Sequence, residues 1–420
     1  MSAGGGQEVK AAQFDVAKLG HIDSHQFTVI LGFLVATKVF LTLPSYITAR
    51  IGTGAWLTIL VSAALAGVGL WGWVAWCKAT GNLGFVPSVR LTLGRVLGDL
   101  IALALTVYFV LVTSFSVRVF AGGAVIGLLP EFPIEILIAI VIASAMYAAW
   151  LGLESVARAA TFFYPLTLLA IVIVGLGSYR LFDIRHLHPL FGMGIPVILR
   201  ESVVQLGIFG GISVTAIFKS YLRNPDGLPK AAFAGLSVAS LFMVASVVLV
   251  AAILPYPENT RHVISLGVIA RTVYLGRFLQ KIEALFTFTW FFASAVHAST
   301  CYMVTFVLLS QLMNTHTYRP LVPGVGLLTF GIAALPGSIH AAGRLLSGVY
   351  TYLGSFSVAL GPALYIIATT RGTQGQAAHV AQLLGKLQRQ ADYSEDRQTN
   401  PAHPSTGEGA QSGMQGEETR

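Results

Sequence analysis

Long apolar segments recur along this chain of 420 residues, and they constrain its fold more than any other feature. A helix needs about 20 apolar residues to cross the ~30 Å hydrocarbon core of a bilayer, and each segment is about that long. Continuous runs such as "VASLFMVASVVLVAAIL" (238–254) differ from the short alternating strands of a membrane barrel. We therefore predict an all-α membrane protein. About ten transmembrane helices are expected, at 26–48, 54–77, 98–127, 133–151, 159–178, 196–221, 230–254, 280–310, 321–338 and 347–370.

The composition supports this assignment. Hydrophobic residues make up 55% of the chain and charged residues only 10%, whereas soluble domains carry roughly 25% charged residues. The net charge of +8 is spread over short loops, which argues against nucleic-acid binding and favours contact with anionic lipid headgroups. The two cysteines, Cys77 and Cys301, lie in different apolar segments, so no disulfide framework is expected.

Three regions follow from the distribution of polar residues. Residues 1–25 are hydrophilic and show no cleavable signal sequence, so we expect a cytoplasmic amino-terminal segment. Residues 26–370 are expected to form the membrane domain, and an even number of helices returns the chain to the same side. Residues 371–420 are then a cytoplasmic tail, which is polar and should be largely disordered after about residue 389.

Two of the ten segments contain residues that weaken a helix. Gly207, Gly210 and Gly211 lie within the sixth segment, and Gly32 and Pro44 interrupt the first. Weak helices at corresponding positions of two five-helix halves are typical of inverted-repeat transporters, which bind their ligand between the broken helices. The alternative is that these glycines only let neighbouring helices approach closely.

Two cations lie inside predicted membrane helices. Lys38 is in the first segment, with Thr42 one turn later, and Arg118 is in the third. A lysine at the centre of a span costs about 3 kcal/mol on insertion scales, so both side chains must face protein or water. They either bind backbone carbonyls or internal acids and hold helices together, or line a cavity for an anionic group such as an amino acid carboxylate. Lys38 is also a candidate for proton exchange.

The eighth segment carries a polar stripe on one helix face. Its members are spaced 4, 3, 4, 3 and 4 residues apart, so the face should point into the bundle. Two acids, Glu201 and Glu283, are candidates to neutralise the buried cations. His297 is either a satisfied interior histidine or a proton relay, and Trp290 either packs in the core or lines a site. The stripe consists of Glu283, Thr287, Trp290, Ser294, His297 and Cys301.

Sequence patterns of common enzymes are missing. The chain contains no GxSxG, HExxH or Walker motif, so an enzyme is not expected. No cofactor and no metal site is expected either.

Three stretches resemble one family. These are "RIG" after the first segment, "GLESVARAATFFYPL" (152–166) and "QKIEALFTFTWFF" (280–292), and the resemblance to the spore germination permease family extends over roughly residues 20 to 370. Members of that family are B subunits of nutrient germinant receptors in the inner membrane of bacterial endospores, within the amino acid–polyamine–organocation superfamily. The resemblance implies a leucine-transporter-like fold: two inverted five-helix repeats in which helices 1 and 6 are discontinuous.

The resemblance also implies a function and a site. The expected function is ligand sensing in a germinant receptor, with an amino acid or similar small nutrient bound at the bilayer midplane and with A- and C-type subunits as partners. The alternative is a stand-alone proton- or sodium-coupled amino acid symporter, in a spore inner membrane or a cell membrane. Ion or proton coupling is assigned to Lys38, Glu283 and His297. The candidate ligand-binding residues are Thr37, Lys38, Thr42, Arg118, Gln205, Phe209, Gly210, Gly211, Trp290 and Ser294.

Overall fold

The computed structural model describes residues 20–373 and 375, without 41, 128–129, 263, 273–281 and 316 and without the side chains of 282–284. All regular structure within these residues is helical, apart from one isolated bridge between Ile22 and Leu222. The α-helices are α1 (Ser24–Ala36), α2 (Leu43–Ile51), α3 (Ala55–Thr80), α4 (Phe85–Leu93), α5 (Arg95–Gly127), α6 (Ile134–Trp150), α7 (Leu153–Gly177), α8 (Ile195–Val204), α9 (Val214–Ile217), α10 (Leu228–Ile253), α11 (Ser265–Thr272), α12 (Ile282–Met313), α13 (Leu321–Ala334), α14 (Ile339–Val349) and α15 (Ser355–Thr370).

These helices form the ten predicted spans in the described part of the chain. Span 1 is α1 with α2, span 6 is α8 with α9, and span 10 is α14 with α15, while α4 and α11 are short helices between spans. Among the described residues, seven helical stretches are long and apolar enough to cross a membrane. Three shorter apolar helices, Ser24–Phe40, Ile134–Trp150 and Leu321–Ala334, belong to spans 1, 4 and 9. Each remaining span is a single helix: span 2 is α3, span 3 is α5, span 5 is α7, span 7 is α10 and span 8 is α12.

Spans 1 and 6 are both discontinuous, as predicted. Span 1 changes to a 3₁₀ helix at Thr37–Phe40, just before Pro44, which has no backbone N–H to donate. Span 6 is 3₁₀ over nine residues, Gln205–Ser213, although such stretches are rarely longer than four. This segment contains the three glycines of the sixth apolar run, which lower the helical propensity where the helix unwinds.

The same glycines also allow close packing. Span 10 contains one stretch of π-helix, Tyr350–Gly354, which lies against the 3₁₀ segment of span 6. A Cβ atom at Gly207 would overlap the carbonyl oxygen of Tyr350, and one at Gly210 would lie 2.8 Å from the Cα atom of Gly354. The sequence left open whether these glycines break the helix or let neighbouring helices approach closely, and the structure shows both.

Spans 2 and 10 meet at another close crossing, which gives a test of the packing. A Cβ atom at Gly72 would lie 2.6 Å from the Cα atom of Pro362, whereas one at Gly67 on the same helix would contact nothing within 4 Å. We expect Gly72→Ala to lower the free energy of unfolding by about 1–3 kcal/mol because it overpacks this contact. Gly67→Ala should leave it unchanged or raise it by up to about 1 kcal/mol, because alanine is the better helix former.

Unfolding of the two purified variants in detergent, followed by circular dichroism, measures this difference. Equal stabilities would contradict the crossing between spans 2 and 10.

Candidate functional site

Lys38 lies inside the break of span 1. Its side chain is 3% exposed, and its Nζ atom donates a hydrogen bond to the carbonyl of Leu34. The amine also lies 5.3 Å from the centre of the Tyr350 ring, a cation–π distance. Among the described residues no acidic side chain lies within ion-pair distance of it. The break therefore buries a cation whose described contacts are all with neutral groups.

A small cavity of about 30 Å³ lies beside this amine, where spans 1, 6 and 10 meet. Gln205, the first residue of the 3₁₀ segment in span 6, reaches it; the side chain is 3% exposed and its Nε2 atom has no partner in the described structure. A water molecule needs about 10–15 Å³ of such space, so the cavity holds about two. Its lining residues are Lys38, Thr42, Leu43, Tyr46, Gln205, Ile208, Gly343, Leu346, Ser347 and Tyr350.

The break of span 1 also contacts span 8 through a polar chain. The Thr37 hydroxyl donates to the carbonyl of Phe33 at 2.8 Å and lies 2.9 Å from Nδ1 of His297. The other ring nitrogen of His297 lies 3.7 Å from Sγ of Cys301. A second cavity of about 10 Å³, enough for one water, opens between Thr37, His297 and Ser294. Buried polar groups thus continue from Lys38 to span 8.

The polar stripe of span 8 faces the bundle, as its spacing predicts. Ser294 and His297 line the cavity beside Thr37, and Cys301 is buried one turn further along. Thr287 and Trp290 line a different cavity nearer the start of the span. The side chain of Glu283 lies outside the described residues.

Arg118 is placed away from the Lys38 cavity. Its Nε and Nη2 atoms donate to the carbonyl of Pro336 at 3.2 and 3.0 Å, and the side chain is only 7% exposed. Pro336 lies between spans 9 and 10, so the guanidinium group ties span 3 to that connection. The sequence allowed Arg118 either to hold helices together or to line a ligand cavity, and its contacts are those of the first alternative.

Glu201 corrects one expectation. It neutralises neither Lys38 nor Arg118: its carboxylate binds Nη1 of Arg50 at 3.1 Å and Nη2 of Arg200 at 2.7 Å. Arg50 is in the last turn of α2, so the ion pair joins the carboxyl-terminal end of span 1 to the amino-terminal half of span 6. The expectation was wrong because the carboxylate is already paired with its sequence neighbour Arg200 and with Arg50, which only the tertiary fold brings next to it.

The remaining candidates of span 6 are packed between helices. Phe209 is fully buried. The Gly210 carbonyl accepts hydrogen bonds from the hydroxyls of Ser213 and Ser357 at 3.1 and 2.8 Å. A Cβ atom at Gly211 would lie 3.2 Å from Cβ of Leu34. These residues fix the unwound backbone of span 6 against spans 1 and 10.

Span 10 supplies lining residues that the sequence reasoning missed. Gly343, Ser347 and Tyr350 share one side of the cavity opposite Lys38. Their spacing of four and three residues on one helix face was a signal that could have identified them.

Comparisons with known proteins agree with this architecture. The family model described as "Spore germination protein" matches residues 21–341. The spore germination protein YndE of Bacillus subtilis (strain 168) is 24% identical over 264 residues, which cover 62% of this chain and 72% of that protein. Spore germination protein B2 of the same organism is 22% identical over 253 residues, or 60% of this chain and 68% of B2. Spore germination protein A2 is 26% identical over 199 residues, or 47% of this chain and 54% of A2.

A solved structure shares the fold. The crystal structure of MhsT in complex with L-phenylalanine superimposes with a TM-score of 0.63 over 87% of this chain and 98% of that one, at 14% identity. The leucine-transporter-like arrangement expected for the chain is therefore confirmed.

The different surroundings of the two buried cations lead to a stability prediction. Removing a buried charge relieves the cost of its desolvation, but the group that accepted its hydrogen bond loses a donor. We expect Lys38→Met to change the free energy of unfolding by less than about 1 kcal/mol, because relief of the lone charge offsets the donor that the Leu34 carbonyl loses. Arg118→Met should lower it by about 1–3 kcal/mol, because the Pro336 carbonyl loses its donor in a buried site.

Thermal unfolding of both purified variants checks this contrast. A strong destabilisation by Lys38→Met, equal to that of Arg118→Met, would assign Lys38 to helix packing.

Proposed function

This chain belongs to the spore germination protein family, and on that premise we propose that it is the ligand-sensing membrane subunit of a spore germinant receptor. The ligand is an amino acid or a similar small nutrient, bound between the broken spans 1 and 6. One observation carries the proposal: the buried amine of Lys38 and the unpartnered amide of Gln205 face the same cavity.

The chemistry of these two groups favours an anionic ligand. An ammonium group and an amide NH₂ both donate hydrogen bonds, and the described residues place no acid between them. A buried donor without an acceptor costs about 1–3 kcal/mol. A carboxylate would satisfy both donors at once, with charge-assisted hydrogen bonds to the amine. The carboxylate of an amino acid is the proposed contact.

Other features support a nutrient of this class. MhsT, which shares the fold, was crystallised with L-phenylalanine, and the curated relatives carry the name of spore germination proteins. The permease family and the transporter fold point away from an enzyme. Signalling would then pass to A- and C-type receptor subunits in the spore inner membrane.

Ligand binding requires a change of conformation. The cavity of about 30 Å³ is far below the ~300 Å³ at which ligand pockets usually begin. At least one of spans 1, 6 and 10 must therefore move away from the others to admit an amino acid. A ligand that binds only the separated arrangement shifts the population toward it, and this shift is the proposed signal.

A proton-coupled symporter is the second candidate function. It is favoured by the polar contacts that run from Thr37, the neighbour of Lys38, through His297 to Cys301 and join the break of span 1 to span 8. Such groups can exchange a proton when a ligand enters. Uptake of radiolabelled amino acids into proteoliposomes distinguishes the two functions: accumulation driven by a proton or sodium gradient supports the symporter, and binding without accumulation supports the receptor.

Direct binding tests the assignment of the site. Purified full-length protein is titrated with a panel of amino acids by calorimetry, with and without sodium and across pH. For an amino acid that binds, Lys38→Met should weaken binding about 10- to 100-fold, because a hydrogen bond to a charged group contributes about 1.5–3 kcal/mol. Gln205→Leu should weaken it less, about 3- to 10-fold, because the uncharged amide donates a hydrogen bond to the carboxylate without the charge–charge attraction that the amine adds.

Ser299→Ala on span 8 is the matched control, because this buried hydroxyl donates within its own helix to Ala295 and lines neither cavity. Unchanged affinity in folded Lys38→Met protein would remove Lys38 from the ligand site.

A further inference from the structure

One face of span 10 forms a wall of the Lys38 cavity. Gly343, Leu346, Ser347 and Tyr350 all line it, and their spacing of three, one and three residues places them on the same side of the helix. Gly343 and Tyr350 are seven residues apart, which is about 10.5 Å along a helix axis. This distance is comparable to the length of a small amino acid with its side chain extended, so the wall can contact such a ligand from end to end.

The two ends of this wall differ in chemistry. At one end the Tyr350 ring lies 5.3 Å from the Lys38 amine, where the carboxylate of the ligand is proposed to bind. At the other end a Cβ atom on Gly343 would lie 3.7 Å from Cγ2 of Thr42, the residue one turn beyond Lys38. A ligand that fills the cavity from the amine therefore extends along span 10 toward Gly343.

Aliphatic side chains surround the path between these two ends. Leu43 of span 1, Ile208 of span 6 and Leu346 of span 10 are buried and line the same cavity. Contact with such residues favours apolar surface in proportion to the area that leaves water. It also removes water from a charged group without replacing the lost hydrogen bonds. This part of the cavity therefore suits an uncharged side chain.

Gly343 leaves space at the far end of the path. It is the one glycine among the described lining residues. An added Cβ atom would be at ordinary van der Waals distance from Thr42, so alanine fits at this position without displacing an atom, whereas a Cβ atom at Gly207 or Gly210 would overlap the backbone of span 10. Glycine at 343 is thus not imposed by a close helix contact in the described structure. Its effect is to leave room in the cavity.

We propose that the face of span 10 from Gly343 to Leu346 binds the side chain of the nutrient and limits its length. This inference rests on the proposed function, and it narrows the ligand to amino acids with an uncharged aliphatic side chain. The carboxylate binds at Lys38. The hydroxyl oxygens of Thr42 and Ser347, in the same lining, accept hydrogen bonds from the α-ammonium group.

The wider cavity that a bound ligand requires keeps these walls. A span that moves as a rigid helix carries all the residues of its inner face with it. Gly343 and Leu346 therefore continue to face Thr42 and Ile208, across a larger gap. A side chain added at 343 takes space from the ligand in this arrangement as well.

Calorimetric titration of the purified full-length protein with unbranched amino acids tests the subsite. Glycine, L-alanine, L-2-aminobutyrate, L-norvaline and L-norleucine differ by one methylene group at each step. For the wild-type protein the affinity should rise about fourfold with each methylene that is buried, and it should fall once the side chain exceeds the subsite. L-lysine, which carries an ammonium group at the end of the norleucine chain, should bind at least about tenfold more weakly than L-norleucine.

Substitutions at Gly343 should shorten the preferred side chain. Gly343→Ala is expected to shorten it by about one methylene group and Gly343→Val by about two. Gly343→Val should weaken binding of the amino acid preferred by the wild-type protein at least about tenfold, while the affinity for glycine stays within about twofold. Leu346→Ala should act in the opposite direction and favour a longer side chain, and it replaces Gly343→Val if that variant does not fold.

Gly348 on the same helix provides the matched control. A Cβ atom there would contact nothing within 4 Å, and the residue does not line the Lys38 cavity. Gly348→Ala and Gly348→Val change the helix propensity of α14 as the variants at 343 do. Such a change in the helix alters the affinity for all five amino acids by one factor, so the preferred length should stay that of the wild-type protein.

Several results would overturn the inference. These are equal weakening of all five amino acids by Gly343→Val, a shortened preference in Gly348→Val, or L-lysine binding as tightly as L-norleucine. Lys38→Met separates the inference from the proposed function. Unchanged binding in Lys38→Met, with a shortened preference in Gly343→Val, refutes the carboxylate contact and supports the span 10 subsite. Binding that needs Lys38, with a length preference that Gly343→Val leaves unchanged, does the reverse. Absence of binding by all five amino acids refutes both.

Discussion

Backbone hydrogen bonding in lipid is the constraint on which this structure depends. A helix can be interrupted inside a membrane only where protein encloses the freed N–H and C=O groups. Spans 1 and 6 are interrupted together, and each break is capped from within: Lys38 donates to the carbonyl of Leu34, and Ser357 donates to that of Gly210 at 2.8 Å. The amine proposed to bind the ligand therefore also satisfies the end of α1.

A second buried lysine shows how a purely structural one is held in this protein. Lys219, near the end of span 6, donates to the hydroxyls of Thr80 at 2.6 Å and Ser88 at 3.0 Å and lies 4.9 Å from the Trp76 ring. It lines neither the cavity of Lys38, nor the one beside Thr37, nor the one beside Trp290. Lys38, in contrast, donates to one backbone carbonyl and otherwise faces a cavity. The two lysines, which are equally buried, thus differ in their hydrogen bonding.

Much of the fold was predictable because hydropathy and helix propensity are local. Segment length fixes the spans, and Pro44 and the glycines of 207–211 mark the breaks that the structure contains. The partners of the buried charges were not predictable. Glu201 binds Arg50 across 151 positions of sequence, and Tyr350 faces Lys38 from the last span. Such pairings depend on tertiary packing, which the spacing of residues along one helix does not encode.

The contacts at the two ends of spans 1 and 6 indicate how the central cavity can widen. At one end, Ile22 and Tyr221 share a backbone hydrogen bond of 2.9 Å, and Arg223 donates to Ile22 at 3.0 Å. At the other end, the Arg50–Glu201 ion pair joins α2 to α8. Separating the two spans would break both sets of contacts. Span 10 contacts the Lys38 amine through the ring face of Tyr350 and not through a hydrogen bond or an ion pair of the kind that joins spans 1 and 6. We therefore expect α14 of span 10, which lines the cavity, to move away from spans 1 and 6, while α15 stays bound to span 6 through the hydrogen bond from Ser357 to the Gly210 carbonyl.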